Sequence, residues 1–266
     1  MQKLKTALCN FGAFLADSLF RHMARTGLVA TLGPVPTAND FASARVTNPN
    51  QSEVVRQRLY DWLLYPAAGQ NQLNFFQQPI GQGVTTAIGA VVGSPKTYAD
   101  TVMTLGGQLP SGATYMVQTV EVHFFPGTSA AANTYLPAGV SLFAAVAAAT
   151  VAGTANDVNS FYQSGWLEFN ILQKNYIREA PLMTFPPSVS LSGNYALGTN
   201  SATTAEVAAA FTRADGMQYQ IPGGILLQPA VNFVVSLNFP TAVALPSGFN
   251  GRAGIVLDGW MARASQ

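Results

Sequence analysis

The stretch TYMVQTVEVHFFPG (114–127) repeats with a period of two. Tyr115, Val117, Thr119, Glu121 and His123 fall on one face, and Met116, Gln118, Val120, Val122 and Phe124 on the other. Successive side chains of a strand point to opposite faces, so this pattern is that of a strand. WLEFNILQKNYI (166–177) alternates in the same way, with Trp166, Glu168, Asn170 and Leu172 opposite Leu167, Phe169, Ile171 and Gln173. LNFFQQP (72–78), TYADTVMTL (97–105), MQYQI (217–221), ILLQPAVNFVVSLNF (225–239) and GIVLDGWMARA (254–264) are further runs rich in aromatic and β-branched residues. Pro229, inside the longest run, marks a strand start or a bulge.

No helix recurs between these strands, which argues against a parallel βαβ sheet. About eight strands at this turn spacing predict an all-β, antiparallel sandwich, and that number matches a single jelly roll. Two long insertions interrupt it. SLFAAVAAATVAG (141–153) is Ala-rich and predicts a helix, followed by the polar NDVNSFYQSG. SLSGNYALGTNSATTAEVAAAF (190–211) predicts a loop with a short helix near 204–211.

Residues 1–71 read as an N-terminal helical arm and linker, and residues 72–266 as the sandwich. Leu4, Leu8, Phe11, Leu15 and Leu19 recur every three to four residues and define an amphipathic helix. Gly27 and then Gly33-Pro34 end it. LGPVPTANDFASARVTNP is a linker rich in Pro and small residues. Asn50 with Glu53 resembles a capping box, predicting a second helix with Val54, Val55, Leu59, Trp62 and Leu63 on its apolar side and Pro66 as its stop.

Charge narrows the function. The chain has 13 basic and 12 acidic residues, so 9% of it is charged, against roughly a quarter in ordinary soluble domains. Other protein is the simplest cover for so uncharged a surface, because the buried centres of interfaces are depleted in charge. Residues 1–58 hold seven basic and three acidic residues, a net of +4, and the remainder is −3. Such an arm has three candidate partners: a neighbouring subunit, an internal membrane or a packaged nucleic acid. The candidate arm contacts are Lys3, Lys5, Leu8, Phe11, Leu15, Arg21 and Arg25. Lys3 and Lys5 precede TALCNFGAFLA, which resembles a signal h-region, but Asn10 interrupts it and no A-x-A site follows, so secretion by this route is not expected.

A search for chemistry predicts no enzyme, no cofactor and no metal. Cys9 is the sole cysteine and excludes an internal disulfide framework; it reads as a small core residue. His22 sits on the amphipathic helix. His123 and Glu121 share a strand face, which suits metal binding or proton transfer, or else a half-buried hydrogen-bonded pair. None of the four lysines follows a P-loop glycine run, and GQGVTT (81–86) lacks the third glycine of a dinucleotide loop. Asn50-Gln51-Ser52 matches a glycosylation sequon, which has no meaning without secretion.

TYMVQTVEVHFFPG, WLEFNILQKNYIREAPLMTFPPS, ILLQPAVNFVVSLNFP and GIVLDGWMARA, with Leu257-Asp258-Gly259 and Arg263 in the last, together resemble the strands of jelly-roll capsid proteins of tailless icosahedral phages. The resemblance covers residues 72–264. It implies a non-enzymatic virion protein that assembles with copies of itself, in trimeric capsomers for example, and with other virion proteins in the host cytoplasm. It also implies an N-terminal arm reaching inward. Trp62, Tyr65, Phe75 and Phe76 are candidate subunit contacts, with core packing as the alternative. A carbohydrate-binding spike or surface-filament sandwich is the second reading.

Overall fold

The computed structural model describes residues 52–127, 130–135, 148–187, 189–199, 205–215 and 218–264. The N-terminal helix therefore lies outside the described residues. The elements in chain order are β1 (Ser52–Tyr65), β2 (Gln72–Phe75), β3 (Ala113–Phe125), α1 (Ala148–Ser164), β4 (Trp166–Ile171), β5 (Lys174–Pro181), β6 (Val189–Thr199), β7 (Ala205–Asp215), β8 (Tyr219–Leu227), β9 (Phe233–Asn238) and β10 (Gly251–Ala264). One four-stranded sheet has the order β1-β10-β3-β8, a second the order β2-β9-β4-β5, and β6 and β7 form a two-stranded sheet. Every pairing between these strands is antiparallel.

Set β6 and β7 aside, and four of the pairings are nested: β1 with β10, β2 with β9, β3 with β8, and β4 with β5. Alternate pairs fall in alternate sheets: β1–β10 and β3–β8 in the first, β2–β9 and β4–β5 in the second. Alternation puts one face of each sheet into a shared core. From the first sheet come Leu59, Tyr115, Val120, Val122, Ile255 and Leu257; from the second come Leu73, Phe75, Leu167, Phe169, Val235 and Leu237. β4 alternates strictly between half-buried and buried positions, as its sequence requires. β10 lies between β1 and β3 and is buried from Gly251 to Gly259 on both faces.

Helix α1 closes one side of the core. Phe161 is fully buried, stacks on Phe124 at a centroid distance of 4.3 Å and meets Tyr65 edge-on at 5.5 Å. Tyr65 donates its hydroxyl to the Val243 carbonyl at 2.7 Å, which meets the demand of a buried phenol. Gly165 follows the helix because nothing larger fits: an added Cβ would sit 2.6 Å from the Phe239 ring and 2.8 Å from a Leu182 methyl.

Several expectations are corrected. The predicted second helix is strand β1, paired with β10 from Ser52↔Ala264 to Tyr65↔Gly251. This strand lies within the 1–71 segment assigned to the arm and belongs to the first sheet. Its inward side carries Val55, Gln57, Leu59, Asp61, Leu63 and Tyr65, and the two polar residues there hide the period of two. The run at 97–105 is loop, tied to β1 by an isolated bridge, Asp61↔Thr101. The 166–177 run is two strands, β4 and β5, turning at Leu172-Gln173. Pro229 separates β8 from β9. The 190–211 insertion is a β6–β7 hairpin in which cross-strand pairing overrides the helix preference of its alanines. Within the described residues the Ala-rich run is helical from Ala148, and the helix continues through the polar stretch to Ser164; residues 141–147 lie outside the described residues.

Candidate functional site

Residues 76–112 join β2 to β3 without regular structure, and most of the buried charge gathers around this loop. β2 ends because Phe76 adopts φ 68, a conformation rare for an aromatic residue. It is held there by burial against Phe233, 5.4 Å between ring centroids, and by its N–H, which donates to Asp61 at 2.7 Å. Asp61 also pairs with Lys96 at 2.7 Å, and both side chains are 0% exposed. Farther on, the loop runs along the open edge of β1: the N–H of Trp62 donates to Asp100 O at 2.8 Å, and that of Val102 to Tyr60 O at 3.3 Å. That cover satisfies an edge that would otherwise invite pairing with another chain.

Asp100 is the keystone. Its carboxylate accepts from the Thr85 hydroxyl at 2.6 Å, the Thr86 N–H at 2.8 Å, the Thr86 hydroxyl at 3.0 Å and the Thr97 N–H at 3.2 Å. Burial pushes its pKa up, but these donors outweigh burial and hold it below the usual carboxylate value. Arg252 reaches in from β10. It donates to Thr86 Oγ1 at 2.9 Å and to Ala99 O at 2.8 Å, lies 3.5 Å from Asp100, and is capped by the Trp62 ring at 4.5 Å. Trp62 can lie flat on the sheet because residue 254 is glycine; a Cβ there would sit 2.2 Å from the indole.

A depressed folded-state pKa stabilises the protein above the unfolded value and loses that contribution as pH falls. Asp100→Asn is therefore expected to lower stability by about 2 kcal/mol at neutral pH. The gap from the wild type should shrink once pH falls below about 4, where the unfolded carboxyl binds its proton. Thermal melts of both proteins across that range check it; a gap that does not vary with pH would contradict it.

The outer face of the first sheet carries two more polar groups. Asp258 is fully buried and accepts from Arg56 at 3.2 and 2.8 Å and from Arg58 at 3.1 Å. Glu121 and His123 meet at 3.0 Å, and Gln218 donates to the other Glu121 oxygen. Trp62 packs edge-on against His123 at 5.6 Å. Among the described residues no three His, Cys, Asp or Glu side chains come together to hold a metal, and no helix is long and apolar enough to cross a membrane.

Of the residues singled out by sequence, Lys3, Lys5, Leu8, Phe11, Leu15, Arg21 and Arg25 lie outside the described residues. Tyr65, Phe75 and Phe76 are 0% exposed and pack the core of their own chain. Trp62 is half-buried, stacked on Phe125 at 5.2 Å and committed to Arg252. Sequence reasoning missed Asp61, Lys96, Asp100 and Arg252. In so uncharged a chain, each charge inside an apolar run, such as Asp61 in LYDWLLY, was the available signal. No family model, curated protein or solved structure matches this chain.

Proposed function

We propose that this chain is a jelly-roll capsid protein: a virion subunit that self-assembles into a shell in the host cytoplasm and carries no catalytic activity. The observation that carries the reading is the nested pairing of β1 with β10, β2 with β9, β3 with β8 and β4 with β5, divided into two four-stranded sheets. This nesting supports a jelly-roll reading, an arrangement that recurs in viral capsid and lectin domains. Fold alone does not assign function. The shell reading draws further support from the 9% charge content, which suits a surface covered by other copies. In this reading the basic N-terminal segment anchors the tile to a neighbour, an inner membrane or the genome.

The test is assembly of the full chain, followed by light scattering and negative-stain microscopy. Shells, sheets or symmetric rings are expected. A monomer that persists across salt and protein concentration would overturn the proposal.

A further inference from the structure

Apolar exposure is concentrated in one place. Among the described residues, ten large hydrophobic side chains face solvent, and six of them lie between Val84 and Leu105. Val84, Ile88, Val91 and Val92 crown the loop, and the last two are 77% and 68% exposed. Residues 80–94 carry no charge. The crown is nevertheless well held. Thr85 N–H donates to Ser94 O at 2.8 Å, Gly81 N–H to Lys96 O at 2.9 Å, and Lys96 N–H to Gln82 O at 3.2 Å. Asp100 clamps Thr85 and Thr86 from beneath. An apolar surface fixed in one conformation loses little entropy on docking, and contiguous exposure of this kind marks an interaction site.

The same chain offers a surface to receive it. A cleft of about 630 Å³ opens beside the stem of the loop, walled by Leu59, Val102, Met103, Leu109, Ala113 and Met261. Its rim carries Tyr98, Thr104 and Ser111. Among its lining residues the one charge is Arg263, which is engaged by Glu53 at 3.0 Å. Neither surface supplies the cationic contacts that a nucleic acid or an anionic membrane would need. Crown and cleft suit each other: both are apolar, and neither offers an unpaired charge to bury.

We propose that the 84–92 crown of one copy seats in the Leu59–Met261 cleft of a second copy. The two patches differ, so the contact is heterologous: each copy gives a crown and receives one, and repetition builds a ring or an open filament. This inference rests on the self-assembly reading above and names the contact that would drive it.

The test uses the full chain in three forms: wild type, Val91→Asp/Val92→Asp, and Thr104→Trp. The first variant places charge on exposed crown positions, and the second blocks the cleft from its exposed rim. Each variant alone is expected to self-associate at least about tenfold more weakly, with an unchanged melting temperature. Mixed one to one, they should form a heterodimer that grows no further, because the Thr104→Trp copy keeps its crown and the Asp variant keeps its cleft. A wild type that does not assemble overturns the self-assembly reading itself. A wild type that assembles beside variants that assemble equally well overturns the crown-in-cleft contact alone. So does a mixture that yields no heterodimer, or a crown that floats with neutral phosphatidylcholine vesicles while self-association is unaffected by either variant.

Discussion

Lys96→Met is expected to destabilise the protein by about 3–5 kcal/mol, the usual consequence of stranding one charge of a buried pair. Asp61 and Lys96 are both wholly inaccessible, so no water replaces the lost ammonium. Burial already pushes the Asp61 carboxyl above its ordinary value, despite the opposing pull of Lys96 and the Phe76 N–H. Taking Lys96 away removes the larger of those opposing influences. A carboxyl with a raised folded-state pKa favours folding at low pH and loses that contribution as pH rises. The Lys96→Met protein should therefore be less crippled in mild acid than at neutrality. Asp61→Asn/Lys96→Met should recover most of the loss, because the amide oxygen still accepts from Phe76 and no charge remains buried. Urea unfolding of the two variants at two pH values checks all three statements. A Lys96→Met protein as stable as the wild type would show that the pair does not hold the loop.

Gly259→Ala is the second large effect, about 3 kcal/mol or more, because overpacking here has nowhere to relax. A Cβ on Gly259 would lie 2.0 Å from the Met116 carbonyl oxygen, a backbone atom of the neighbouring strand. The crowding comes from the bulge in β3, where register slips between Val117 and Thr119 and Gln118 bends toward β10. The side chain of that extra residue is put to use, accepting from the Trp260 indole at 3.0 Å. Gly89→Ala is the informative comparison. Gly89 has φ 75 but open space around it, so its loss should reach only about 1 kcal/mol. A denaturant midpoint that falls far more for Gly259→Ala, at constant slope, would locate the difference in packing. Equal losses would refute the crowding argument.

The sandwich was legible where one face of a strand is apolar and the other polar. Leu167, Phe169 and Ile171 in β4 announce themselves in this way; in β3 the bulge at Gln118 breaks the expected alternation, so Tyr115 and Val117 share the core with Val120 and Val122 rather than lying on one face with Glu121 and His123. β1 was misread because Asp61 occupies an inward position, kept there by a lysine that lies on a distant loop. No local pattern reveals such a partner. The 97–105 run has the composition of a strand, yet Asp100 spends its oxygens on Thr85, Thr86 and Thr97, and the backbone follows that carboxylate. The aromatics Tyr65, Phe75 and Phe76 were read as candidate subunit contacts, with core packing as the alternative, and they lie in the core of their own chain. Sequence could not tell whether they pack inward or outward, because that depends on which edge the loop covers. The crown and cleft were likewise illegible, since residues 84–92 and 261 meet the same function only through the fold.

The nested pairing also sets a clock. β1 emerges from the ribosome at residue 65, but its partner begins at residue 251. At ordinary synthesis rates of about 5–20 residues per second, β1 waits about 10–40 s with its backbone unpaired. A bare apolar strand invites aggregation over such an interval. β1 carries Glu53, Arg56, Arg58 and Asp61, and charges spaced along a strand oppose its burial against another chain. Asp258 arrives last, and its single carboxylate accepts from both arginines. Charged side chains thus interrupt the apolar strand while it waits, and the strand that ends the wait also engages both arginines.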